Sequence, residues 1–276
     1  MKTNKIPSWI LAITACVAVQ VQAQSFLTNG LVAYYPFSGN SKDASGFGND
    51  LTNYGATPCP DRFGTANRAF HFDGLSSYML STSPSSPLPS GAADRTLSLW
   101  VKADSVVTNG GTFVAIDYGD SQNTYNAVFG CFLQPDWGVH FDGPNQAVFS
   151  GVSPDASWHQ LVCVYSSGNV QMFIDGVEYA NTPKATFTGI GELIVGQVID
   201  NGYSEYFPGV IDDIRIYNRA FSSNEVAQLY TIESTTPPVI TLPSLNLTIR
   251  LELFKQGDSN TNSLVLTTAS PISVLH

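Results

Sequence analysis

From residue 30 onward the chain breaks into short, largely apolar runs of strand length. Residues 31–37, 69–72, 78–80, 95–102, 112–117, 127–133, 138–141, 158–165, 170–174, 191–195 and 209–217 are rich in β-branched and aromatic residues. Each is bounded by Gly, Pro, Asn, Asp or Ser, the residues that punctuate strands. Alternation of period two marks a strand with one buried face. Ser166-Ser167-Gly168-Asn169 and Asp175-Gly176 separate neighbouring runs and read as hairpin turns. About eleven short strands at this spacing predict a β-sandwich. One short helix is expected near the end of this region. Ser222 stands three residues before Glu225, a capping box, and Val226, Leu229 and Tyr230 share one helical face.

The two ends read differently. Lys2 and Lys5 precede an apolar stretch over 6–21, and Val21-Gln22-Ala23 offers small residues before a cut. Residues 1–23 are therefore expected to be a secretory signal peptide, making the protein secreted. An apolar stretch of about 16 residues falls short of the roughly 20 that cross a bilayer, so no transmembrane segment is expected. Ile13-Thr14-Ala15-Cys16 resembles a bacterial lipobox, which keeps lipid anchoring at Cys16 open as an alternative. The sandwich is assigned to 24–232. Residues 233–276 read as a Pro-rich linker and a short or truncated β tail with runs at 246–254 and 263–268.

Composition narrows the class. Charged residues make up 12% of the 276 positions, about half the usual share of ~25%, while 16 Phe, 12 Tyr and 4 Trp supply core material. Disorder is excluded for most of the chain. Twenty-two acids against 12 bases leave no cationic excess to neutralise phosphates, so no nucleic-acid partner is expected. Beyond Cys16 there are three cysteines, an odd number for an oxidising compartment. Cys131 and Cys163 both sit in strand-like runs and form the favoured disulfide pair. Cys59 lies in a Pro-flanked loop, and three free thiols remain the alternative. The histidines at 71, 140, 159 and 276 are scattered and no CxxC occurs, so there is no zinc signature.

Several segments, in order, resemble the laminin G-like members of the concanavalin A-like lectin and glucanase superfamily. They are Gly30 to Phe37, Asp43 to Asp50, Phe70-His71-Phe72-Asp73-Gly74, Leu97 to Lys102, Trp158-His159-Gln160-Leu161, Phe173-Ile174-Asp175-Gly176, and Phe207 to Ser222 leading into the capped helix. Each is weak alone, but their collinearity over residues 30–230 is specific. The resemblance implies an all-β, two-sheet antiparallel jelly-roll sandwich with one short C-terminal helix and a short extra tail, in agreement with the strand count.

Strict alternation through 210–217 puts Val210, Asp212, Ile214 and Ile216 on one face. A carboxylate among aliphatics needs a partner, which calcium, an arginine such as Arg68 or Arg215, or backbone amides could supply. The resemblance implies a structural calcium held at the position of Asp212. Asp43, in the loop after the first strand, is the next candidate ligand, because calcium takes six to eight oxygens. Asp73-Gly74 and Asp175-Gly176 read as tight turns.

Sugar binding calls for aromatic faces beside amides and hydroxyls. Two loops carry that chemistry, with Tyr118, Asn123 and Tyr125 in one and Asn201, Tyr203 and Tyr206 in the other, and Trp137 contributes from a third segment. Catalytic members of the superfamily place carboxylates as Glu-X-Asp-X-X-Glu on one strand face. The six glutamates here, at 178, 192, 205, 225, 233 and 252, never come within five residues of each other. An enzyme is not expected. The sequence points to a non-catalytic, lectin-like module for an extracellular glycan, with an adhesion or structural module for a protein ligand as the alternative.

Overall fold

The computed structural model describes residues 26–81, 88–104, 111–120, 127–141, 147–198 and 205–235, together with the backbone of two strands beyond them. Two antiparallel sheets face each other. The first, sheet A, runs in the order β13 (Val177–Pro183), β12 (Asn169–Ile174), β11 (His159–Ser166), β6 (Arg95–Ala103), β15 (Pro208–Tyr217), β4 (Ala69–Asp73) and β3 (Thr57–Cys59), with β1 (Leu31–Tyr35) also paired to β15. Sheet B runs β10 (Val148–Phe149), β9 (Trp137–His140), β8 (Val128–Leu133), β7 (Phe113–Gly119), β14 (Glu192–Val195), β5 (Tyr78–Ser81) and β2 (Thr52–Tyr54). This is the expected jelly-roll sandwich.

Period-two alternation fills the space between the sheets. Leu97, Leu99 and Val101 of β6 and Leu161 and Cys163 of β11 meet Phe129, Cys131 and Leu133 of β8 in one core. Sheet A is covered on its outer side too. Val162, Val164, Phe173 and Tyr217 lie under Val226 and Leu229 of the helix α1 (Ser223–Glu233). The capping box forms as expected. Ser222 accepts from the Glu225 amide, and the Glu225 carboxylate accepts from the Ser222 amide at 2.8 Å.

The closing strand departs from strict alternation. Asp213 has φ 46°, and the β15–β6 register shifts between Asp212 and Arg215, the signature of a β-bulge. At the bulge β15 exchanges neighbours: residues 208–211 pair with β4, and 214–217 pair with β1. The extra residue resets the phase. Ile211, Ile214 and Ile216 point into the core, and Asp212 pairs with Trp100 on the other side. The expectation that Asp212 shares a face with Ile214 and Ile216 is therefore corrected.

Strands β2, β3, β10 and β13 were not foreseen. They are short or expose most of their side chains, so they carry no buried stripe. The chain divides into two units after Thr235, and in the second unit β16 (Ile249–Glu252) pairs antiparallel with β17 (Ser263–Leu266). Among the described residues no helix is long and apolar enough to cross a membrane.

Candidate functional site

The outer face of sheet B is organised in rows that run across the strands. In one row Thr52 stands opposite Leu80, Leu80 opposite Ile194, Ile194 opposite Asp117, Asp117 opposite Gly130, and Gly130 opposite His140. His140 reaches across Gly130, placing Nδ1 at 2.9 Å from both carboxylate oxygens of the fully buried Asp117. Glycine is required there, because a Cβ would collide with Asp117 Oδ1 and the Ile116 carbonyl. The contact of Nδ1 with both carboxylate oxygens fixes the orientation of the imidazole against Asp117.

An aromatic row runs alongside. Tyr54 stands opposite Tyr78, Val114 bridges to Tyr206 and pairs with Phe132, and Gly138 stands between Phe132 and Phe149. Tyr54 and Tyr78 stack at 4.7 Å, Tyr206 lies 6.5 Å beyond, and Phe132 meets Phe149 edge-on at 5.3 Å. Both ends are half-exposed: Tyr54 is 46% and Phe149 47% exposed. Ring faces of this kind pack against the C–H faces of sugars, while hydroxyl and imidazole groups accept or donate to sugar hydroxyls.

Of the aromatic residues singled out in the sequence, Tyr206 belongs to this row. Tyr118 does not. It points inward against Phe129, and burial pushes its phenol up to about 12. Trp137 is also corrected, being fully buried beside Phe207. Both occupy inward positions of strands that begin or end at turns, so proximity to a loop misled the sequence reading. Asn123, Tyr125, Asn201 and Tyr203 lie outside the described residues. Tyr54 and Tyr78 were missed as site residues. Their only sequence signal is a lone tyrosine next to Asn53 and Gly55 and another after Ser77.

The proposed calcium ligands take other partners. Asp43 accepts from the backbone amides of Tyr34, Ser45 and Asn49, which shapes the loop after β1. Asp212 is bound by Arg62, whose Nη1 lies 2.9 Å from Asp212 and 2.8 Å from Asp213. Burial, then the adjacent Asp213 carboxylate, raises Asp212 to about 8, and Arg62 pulls in the other direction. Arg62 is itself held over Trp100 at 4.5 Å and donates to the Glu233 carbonyl. The Glu233 carboxylate accepts from Trp100, Gln160 and Arg215. Arg215 thus serves Glu233, and Arg68 donates to Ser38. Among the described residues no three His, Cys, Asp or Glu side chains gather to hold a metal ion. These residues do not fit a calcium cage; a guanidinium occupies that electrostatic role. Glu233, placed in the linker on sequence grounds, is instead the buried last residue of α1. Cys131 and Cys163 do meet, Sγ to Sγ at 2.9 Å in the core.

The sequence of residues 73–227 matches the laminin G-like family of the concanavalin A-like lectin/glucanases superfamily. The chain belongs to this family. Solved structures share the laminin G-like fold at low identity. Domain 4 of AbnA, a GH43 extracellular arabinanase from Geobacillus stearothermophilus solved in complex with arabinotriose, is 23% identical with a TM-score of 0.55. The match covers 72% of this chain and 98% of that one. The botulinum neurotoxin serotype D ligand binding domain, in complex with N-acetylneuraminic acid, is 11% identical with a TM-score of 0.59, over 76% of this chain and 53% of that one. The binding domain of botulinum neurotoxin DC, in complex with rat synaptotagmin II, is 13% identical with a TM-score of 0.58, over 74% and 52%. The laminin G-like chain thus matches about half the length of these neurotoxin domains. No curated protein matches it.

Proposed function

We propose that this protein is a non-catalytic, secreted carbohydrate-binding module whose site is the outer face of sheet B. The observation that carries this reading is the Tyr54–Tyr78–Tyr206 row, open at Tyr54 and flanked by a transverse line that ends in the Asp117–His140 pair. The rings supply stacking area, and Thr52 and His140, at the two ends of the neighbouring line, offer a hydroxyl and an imidazole. The folds shared with glycan-bound domains support the reading. The absence of clustered glutamates in the sequence favours binding over hydrolysis. An extracellular setting follows from reading residues 1–23 as a signal peptide.

The test is a glycan array followed by titration of the full chain with the best oligosaccharide. Tyr54→Ala should weaken binding about tenfold, the value of roughly one ring contact, with the fold intact. Binding unchanged by Tyr54→Ala would overturn the site. A second reading, a protein-binding adhesion module, is favoured by the edge strand β13, which exposes Val177 and Tyr179. Binding to a protein partner that survives Tyr54→Ala and fails on Tyr179→Ala would replace the first reading with this one.

A further inference from the structure

Within the core between the two sheets, one pair of sulfurs meets. Cys131 lies on β8 of sheet B and Cys163 on β11 of sheet A, both fully buried and 32 positions apart in sequence. Their Sγ atoms are 2.9 Å apart, closer than Cys163 approaches the thioether of Met172 at 3.6 Å. A disulfide bond is about 2.05 Å long, so closure requires a movement of less than ~1 Å. Each backbone position is fixed by its ladder, Cys131 opposite Val139 and Cys163 between Leu97 and Met172. The third described cysteine, Cys59, is half-buried on β3, in a strand that pairs only with β4 at the edge of sheet A.

We propose that Cys131 and Cys163 form a disulfide that ties the two sheets through the centre of the core, with Cys59 left as a thiol. The reaction is thiol–disulfide exchange with a low-molecular-weight disulfide such as oxidised glutathione. The thiolate of one cysteine attacks a glutathione sulfur and releases one glutathione thiolate. The second cysteine then loses its proton and attacks the mixed disulfide at the protein sulfur, releasing the second. Two protein thiols are oxidised, one small disulfide is reduced to two thiols, and the two protons end on glutathione. The bond forms before the core closes, because in the folded chain both sulfurs are out of reach of the oxidant. Burial and the neighbouring Cys163 also raise the Cys131 thiol well above its ordinary range, which suppresses the attacking thiolate once folding is complete.

To test this, the full chain is reduced, unfolded and refolded in a reduced and oxidised glutathione buffer. It is then unfolded without reductant, alkylated with iodoacetamide and mapped by peptide mass. The expected result is a linked peptide pair carrying Cys131 and Cys163, with Cys59 alkylated. Alkylation of both Cys131 and Cys163 would overturn the proposal. A second measurement compares melting of the oxidised and reduced chains. Closing a loop of this length is expected to raise Tm by about 10 °C. The same comparison in the double variant Cys131→Ala, Cys163→Ala should show no difference, and an equal oxidation effect in that variant would place the bond elsewhere.

Discussion

The outer faces of the two sheets are treated in opposite ways. On sheet A the face is closed: α1 covers Val162, Val164 and Tyr217, and beside it Arg62, Asp212, Asp213, Glu233 and Arg215 satisfy one another. On sheet B no helix packs against the described residues, and an aromatic row ends in half-exposed rings on both sides. Polar groups on sheet A are thus consumed by structure, whereas on sheet B the middle of the outer face, with Val114, Asp117 and Phe132, is buried and exposure is concentrated at the two ends of the aromatic row. We place the proposed site on the sheet whose outer rings remain exposed at Tyr54 and Phe149.

The largest effect should come from opening the sheet A network. Arg62→Ala leaves the buried Asp212 and the partly exposed Asp213 beside it without their cation, and removing one partner of a buried pair costs about 3–5 kcal/mol. Chemical denaturation should show that loss, and added Ca²⁺ should not restore it. Recovery with calcium would mean that the Asp212 region can accept a metal after all. Next comes the helix. Leu229→Ala removes a fully buried side chain at the α1–sheet A contact and should cost about 2–4 kcal/mol while glycan affinity stays unchanged. If affinity fell in parallel, the two faces would be coupled and the contrast between them would fail.

On sheet B, Gly130→Ala forces a Cβ into Asp117 and the Ile116 carbonyl. It should cost about 1–3 kcal/mol and, by displacing His140, weaken glycan binding as well. His140→Gln, which keeps a hydrogen-bonding group without the ring, separates the two effects: binding should fall with a smaller loss of stability.

How much of this was legible beforehand depended on the range of the cause. Strands such as 158–165 and 95–102 were visible because each is a short run of β-branched, aliphatic and aromatic residues bounded by turn residues, a local signal. The helix was visible because its cap is local, Ser222 to Glu225. Asp212 was correctly marked as a carboxylate in need of a cation, but its partner Arg62 lies 150 positions away and no local pattern points to it. The bulge at Asp213 reversed the face on which Asp212 was expected, since a single residue in the left-handed region shifts every later side chain. Tyr54 and Tyr78 become neighbours only through the register of β2 with β5, which is a tertiary fact. Trp137 failed for the opposite reason: an aromatic residue beside a turn looks like a loop platform until the strand that begins there turns it inward.

The smallest effect contrasts a surface ion pair with the buried network. His159 sits between Asp175, at 2.7 Å from Nδ1, and Asp155, at 3.0 Å from Nε2. The hydrogen bond to Asp175 raises the imidazole above its ordinary pKa, ahead of burial, which opposes it. The folded state therefore holds this proton to higher pH than the unfolded chain does. Its contribution to stability is complete below the unfolded value of about 6.5 and is lost as pH rises through the higher folded value. Because Asp155 is exposed and the pair is screened by solvent, the change should be under about 1 kcal/mol. Denaturation midpoints measured from pH 5.5 to 8.5 should decline across that window in the native chain, the raised Asp212 included, and the small part due to His159 is the amount by which the decline is shallower in His159→Gln. A variant that declines just as steeply would assign the pH dependence to another group, with Asp212 the first to examine.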